Sequence, residues 1–191
     1  MIKEAGIDFA SLPDEEFDQP FGEATGAGVI FGTTGGVMEA AIRTVYEILE
    51  GKPLDNLNIE PVRGLDGVKE ATLKIAGKDV KVACVHGTAN ARTILEKIKA
   101  GEHYDFVEVM ACPGGCIHGG GQPIVDSATK AKVNVKELRA KALYSEDEAS
   151  TFRKSHDNPY VKKLYEEYFE APGSHKAHEL LHTTYTKRSN H

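Results

Sequence analysis

The chain has 191 residues, 40% of them hydrophobic, enough to bury one sizeable core or two small ones. Its 23 Lys and Arg against 29 Asp and Glu leave a net charge of −6 with both signs interspersed, which argues against a nucleic-acid partner. Its apolar runs fall well short of the roughly 18 to 20 residues of a membrane-crossing helix. The N-terminus lacks a signal-peptide profile, and three cysteines do not make a secreted disulfide framework, so the expected location is cytoplasmic, with no membrane span.

Residues 1–25, rich in Asp, Glu, Pro and Gly, show no period and read as a lead-in segment. A glycine-punctuated stretch from Gly26 to Gly36 then opens a helix in which Val37, Ala40, Ala41, Val45, Ile48 and Leu49 recur at three-to-four spacing. Thr33 or Thr34 is the expected cap at its start, and Gly51 ahead of Pro53 its stop. Residues 71–75 and 80–85 flank Ala76-Gly77-Lys78-Asp79, giving an alternating edge strand, a turn and a buried strand. Residues 89–100 read as an amphipathic helix ended by Gly101, and 104–110 as another strand. Strand, helix, strand is a βαβ unit. The expected fold is therefore α/β, a parallel sheet flanked by helices over residues 26–135, followed by a helical C-terminal tail, 136–191. Asn158-Pro159 and Ser174 open helices in that tail.

The strand ending at Met110 runs straight into Ala111-Cys112-Pro113-Gly114-Gly115-Cys116-Ile117-His118-Gly119-Gly120-Gly121-Gln122-Pro123. Five glycines and two prolines in the last eleven residues make poor packing, but they suit a backbone that approaches a bulky ligand and aims N–H groups at it. Thiolates four positions apart on such a loop can face one metal cluster. Spacing alone also admits a redox dithiol, half a zinc site or coincidence.

The flanking residues go further. The loop 110–123 resembles the third cysteine motif of the iron-only (FeFe) hydrogenases, Met-Ala-Cys-x-x-Gly-Cys-x-x-Gly-Gly-Gly-Gln-Pro, and matches each fixed position. The resemblance extends to Phe31-Gly32-Thr33-Thr34-Gly35-Gly36-Val37-Met38-Glu39-Ala40-Ala41 and Val62-Arg63-Gly64 before the loop. After it come Arg153-Lys154-Ser155-His156 and Pro172-Gly173-Ser174-His175-Lys176-Ala177-His178-Glu179. The lead-in looks most like that of cytoplasmic, multisubunit, NAD(P)-linked members.

What this resemblance implies is one lobe of the iron-hydrogenase domain and an oxidoreductase that interconverts H2 with protons and electrons. It implies that Cys112 ligates the 4Fe–4S cubane of the family's H-cluster, and that Cys116 ligates the cubane and bridges it to a two-iron subcluster with CO and CN ligands. Phe31, Gly32 and Met110 are the implied lining of the two-iron pocket. The metals carry the chemistry, and the protein supplies position, a dry cavity and hydrogen bonds to sulfur. A ferredoxin or electron-transfer subunit is the implied electron partner.

The family's first two cysteine motifs, source of the other two cubane ligands, have no counterpart in this sequence. The N-terminal half of the hydrogenase domain, on the same or another chain, is thus the expected partner, with residues 1–25 abutting it. Cys84, between Val82-Ala83 and Val85, is expected to be a core residue. His118 sits at a variable position of the motif and is expected to face solvent.

His178-Glu179-Leu180-Leu181-His182 fits the zinc-protease pattern His-Glu-x-x-His. It is better explained as the hydrogenase C-terminal signature, with adventitious metal binding by His175, His178 and His182 expected ahead of catalysis. The main rival function is a non-catalytic hydrogenase-like sensor or scaffold subunit in which Cys112 and Cys116 hold a plain cubane. A thiol–disulfide protein lacks the expected Cys-x-x-Cys helix start.

Overall fold

The computed structural model describes residues 1–16, 18 and 22–189. Within the expected lead-in, residue 17 and residues 19–21 therefore lie outside the described residues, as do 190 and 191 of the tail. In chain order the main elements are α1 (Gly26–Val29), α2 (Gly36–Glu50), β1 (Val68–Ile75), β2 (Lys78–His86), α3 (Thr88–Lys99) and β3 (Phe106–Met110), then α4 (Ser127–Lys130), α5 (Val135–Ala149), α6 (Pro159–Leu164) and α7 (His175–Leu181).

The three strands form one sheet in the order β1-β2-β3. β2 and β3 are parallel, from Val82 beside Phe106 to His86 beside Met110, with α3 as the crossover, as the βαβ pattern requires. β1 differs from the parallel expectation: it runs antiparallel to β2, from Val68 beside Val85 to Ile75 beside Lys78. The cause is the turn, because two residues in left-handed conformation, Ala76 (φ 50°) and Gly77 (φ 72°), can only return the chain alongside itself. The sheet is therefore mixed.

Alternation along β2 feeds two cores. Val82 and Cys84 pack with Met38, Ile42, Val62 and Ile75 under α2. Ala83 and Val85 pack with Ile94 of α3 on the other face. Each of the fully buried aliphatic side chains contributes roughly 1.5–3 kcal/mol, so this double-sided burial of β2 holds the lobe together.

The start of α2 departs from expectation. Neither Thr33 nor Thr34 caps it; Gly35 (φ 90°) occupies the cap position with no side chain to offer. The free amides are taken instead by Glu108 of β3, which accepts from Gly35 N at 2.6 Å and from Met38 N at 2.8 Å. A buried carboxylate at a helix N-terminus satisfies orphan donors and favours the helix dipole. The other end behaves as expected: Gly51 (φ 67°) donates to Glu47 O.

The tail packs onto the lobe through a buried ionic seam. Arg43 of α2 is fully buried and donates to both carboxylate oxygens of Asp147 on α5 (2.8 Å each) and to Glu39 (2.7 Å). Arg63 grips Glu39 through two further bonds, of 2.7 and 2.8 Å, and Arg153 reaches Asp147 at 2.7 Å. α1 meets α5 so closely that a Cβ on Gly26 would stand 2.2 Å from Asp147 Oδ1. As expected, Asn158 caps α6, accepting from Tyr160 N and Val161 N ahead of Pro159, and Ser174 caps α7.

Candidate metal-cluster site

β3 ends at Met110, whose carbonyl accepts from Gly87 N at 2.8 Å. The loop beyond it is pressed against residues 32–34. Thr34 N donates to Gly114 O at 3.0 Å. Gly115 sits at φ 97°, ψ −165°, a region essentially closed to residues with a Cβ. A Cβ there would stand 2.8 Å from Thr34 N, 2.9 Å from Gly32 O and 2.9 Å from Met110 Sδ. Gly115 is thus the point where two expected pocket residues, Gly32 and Met110, converge on the cysteine loop. Phe31 stands next to them and is 45% exposed.

Cys112 is half-buried and Cys116 exposed. Gly115 N donates back to Cys112 O, and Cys116 opens a short turn in which Gly119 N donates to Cys116 O at 3.0 Å. The turn folds Gly119 over the first thiol, so that a Cβ on it would lie 3.6 Å from Cys112 Sγ. Two accessible thiols on one glycine-rich turn make a soft donor set suited to an iron–sulfur cluster. The turn therefore fits part of such a group. Among the described residues no three His, Cys, Asp or Glu side chains converge on a metal position.

Cys84 behaves as a core residue. It is fully buried, and burial, reinforced by the charge of Glu108 and opposed by Lys69, pushes its thiol up to about 12. His118 faces solvent, as expected. The His-Glu-x-x-His segment does not become a metal site. α7 ends at Leu181, and His182 is already extended (φ −109°, ψ 146°). His178 and His182 touch edge to face, ring centroids 4.4 Å apart, and His175 does not join them in a metal-holding group among the described residues. His175, His178, Glu179 and His182 line one surface cavity, but among the described residues they are not grouped so as to hold a metal ion.

Three residues that support the site are absent from the sequence reading. Glu108 ties β3 to α2 directly behind the loop, as described above. Lys69 donates from its buried ammonium to Thr34 O (3.0 Å) and Gly64 O (2.8 Å), and burial pushes its pKa down. Arg139 of α5 donates to Ile117 O at 2.8 Å and to Pro123 O at 2.9 Å. A charged residue inside the apolar run Phe106-Val107-Glu108-Val109-Met110 was the available signal for Glu108. Lys69 and Arg139 gave none, being ordinary polar positions on a strand and a helix.

Comparison with known proteins agrees with this geometry. Residues 1–120 match the family described as iron only hydrogenase large subunit, C-terminal domain, and residues 133–188 match iron hydrogenase small subunit. The chain belongs to the iron-only hydrogenase family. It is 49% identical over 188 residues to the NADP-reducing hydrogenase subunit HndD of Solidesulfovibrio fructosivorans, covering 98% of this chain and 32% of that one. A solved variant of the FeFe hydrogenase HydA1 from Chlamydomonas reinhardtii superposes with a TM-score of 0.68 at 43% identity, covering 96% of this chain and 52% of that one. A cytosolic Fe-S cluster assembly factor, narfl of Danio rerio, is 31% identical over 192 residues, covering 97% of this chain and 45% of that one. The chain thus spans about a third of the length of the hydrogenase HndD. The small-subunit match recasts the polar tail as a second family segment, which its composition did not disclose. No described helix is long and apolar enough to cross a membrane.

Proposed function

We propose that this chain is a component of an FeFe hydrogenase, supplying two of the four cysteine ligands of its H-cluster, Cys112 and Cys116. The observation that carries the reading is the convergence at Gly115. There Gly32 and Met110, two residues that the family resemblance assigns to the two-iron part, pack within a methyl group's reach of the turn that carries Cys116. Cys112 and Cys116 would hold the cubane, with Cys116 the thiol shared with the two-iron subcluster. Phe31, Gly32 and Met110 line the space around the two irons. When bound, the H-cluster supplies the reversible conversion of two protons and two electrons into H2. The chain's own part is to present two thiolates on a turn fixed by Thr34 and Gly119, and to exclude Cys84 by keeping it protonated in the core.

In this reading the remaining two ligands come from outside these 191 residues, from the N-terminal half of the hydrogenase domain on the same or another chain. Residues 1–25 abut that half, 26–135 form the lobe that carries the loop, and 136–191 form the tail. A ferredoxin or electron-transfer subunit delivers electrons, in the cytoplasm. Infrared spectroscopy of the complete hydrogenase carrying this segment, matured anaerobically, tests the proposal. Bands from CO and CN ligands on iron are expected.

The likeness to the cluster assembly factor favours a second reading, a non-catalytic iron–sulfur scaffold. It predicts a cubane signal in electron paramagnetic resonance with no CO or CN bands, the result that would displace the hydrogenase reading.

A further inference from the structure

The two sides of the cysteine loop are anchored differently. On the near side, Thr34 N holds Gly114 O, and Gly115 is wedged between residues 32–34 and Met110. Beyond Cys116 the side chain of Ile117 is buried against Gly32, but the triple-glycine segment that follows has little to hold it. A Cβ on Gly120 or Gly121 would meet no heavy atom within 4 Å, so neither position is packed. The turn's internal bonds, Gly119 N to Cys116 O and Gln122 N to Gly119 O, are local and do not tie it to the lobe.

The tie comes from the tail. α5 starts on Asn134, whose side chain accepts from Glu137 N, and places Arg139 beside the loop. One terminal nitrogen of the guanidinium donates to Ile117 O, the residue after Cys116, and the other to Pro123 O, the last residue of the motif. The planar fork thus spans the triple-glycine segment like a brace, holding each carbonyl with a separate nitrogen of one rigid group, where an ammonium has one nitrogen for both. Both acceptors are neutral carbonyls, and Arg139 forms no ion pair among the described residues, so its positive charge stands uncompensated next to the Cys116 turn.

We infer that Arg139 is a positioning residue for the cluster: it fixes the conformation in which the Cys116 turn presents its sulfur, and its charge raises the potential of the group held there. The inference rests on the hydrogenase reading for its cluster part only. Because α5 lies in the segment that matches the hydrogenase small subunit, the brace makes the large-subunit site depend on the small-subunit-like tail.

The test compares Arg139→Gln and Arg139→Lys. Hydrogen exchange on the chain as it stands is expected to quicken roughly tenfold across residues 113–123 in Arg139→Gln, whose side chain ends two bonds short of the guanidinium nitrogens, and by less in Arg139→Lys, which brings a single nitrogen where the fork brings two. Peptides from β2 and α3 are expected to exchange as before, and iodoacetamide to alkylate Cys116 at a changed rate. In the complete, matured hydrogenase the cubane's midpoint potential is expected to fall in Arg139→Gln, and Arg139→Lys, which keeps the charge, to recover most of that fall. Unchanged exchange over 113–123 in both variants overturns the brace, and so does faster exchange that spreads equally through the sheet. An unchanged potential in Arg139→Gln overturns its effect on the cluster. If the unsubstituted enzyme shows no cubane at all, it is the hydrogenase reading that fails, while the exchange and alkylation results still decide whether the brace exists.

Discussion

Cys84 and Cys116 carry the same thiol, yet the protein treats them in opposite ways. Cys84 lies on the central strand among Met38, Val62 and Val82, fully buried, with its ionisation pushed up to about 12. Cys116 lies on a glycine turn beyond the end of β3, exposed, in a loop held largely by backbone hydrogen bonds. The difference shows how the fold divides its tasks. The sheet supplies rigidity through side-chain burial, and the loop beyond β3 gives up side chains so that backbone and sulfur can approach a ligand.

Substitutions can break that division, and the largest effect is expected in the seam behind both regions. Removing Asp147 leaves the Arg43 guanidinium buried with one of its two carboxylate partners gone, and Asp147→Ala should cost about 3–5 kcal/mol in chemical denaturation. Asp147 also sets an acid limit. Burial opposes its ionisation, but hydrogen bonds from Arg43 and Arg153 outweigh this and hold its carboxyl below the ordinary value of 3.8. A depressed carboxylate contributes stability above its unfolded pKa and loses it as pH falls through the folded one. The variant should therefore show a flatter loss of stability below about pH 4.

Next comes Gly115→Ala. It forces a Cβ into a glycine-only conformation and against Thr34, Gly32 and Met110, for a loss of roughly 1–3 kcal/mol. The sheet amides should stay protected in hydrogen exchange while the cysteine loop loses its order.

Smaller still is Cys84→Ala, expected to cost about 1 kcal/mol at neutral pH. Its informative effect is alkaline. A thiol whose folded pKa is raised stabilises fully below its unfolded pKa of 9.0, and that stability is lost as pH rises toward the folded value of about 12. The unsubstituted chain should thus lose up to about 1.4 kcal/mol per pH unit in this window from Cys84. Cys84→Ala should lack that component, with the remaining alkaline loss belonging to other groups. The thermal midpoint measured from pH 8 to 11 checks it.

Much of this was legible in the sequence. The span of α2, the turn at Ala76-Gly77, the crossover helix and the caps at Asn158 and Ser174 are local signals, and each element appears where it was expected. The buried face of α2 is not the expected one: Val45, Ile48 and Leu49 are exposed, while Met38, Ile42 and the ion-paired Arg43 face inward. The glycine density of the cysteine loop marks a close backbone approach, which Gly115 makes, but the reading of the loop as a cluster turn comes from the family resemblance and not from composition. The failures are non-local. Thr33 and Thr34 had the right chemistry to cap α2, but Glu108, some seventy residues away, took the amides instead. The antiparallel setting of β1 follows from the turn, but the βαβ pattern drew attention to the parallel pair. Arg139 was invisible because bonding to two carbonyls leaves no mark on composition or period.

The central claim is that Cys112 and Cys116, and not Cys84, hold the cluster. The most direct measurement is infrared and iron analysis of the complete, anaerobically matured hydrogenase carrying Cys116→Ala, with Cys84→Ala as the control. The account predicts that Cys116→Ala folds but loses the CO and CN bands and most cluster iron, while Cys84→Ala keeps both. Bands retained in Cys116→Ala, or lost in Cys84→Ala with folding intact, would contradict it.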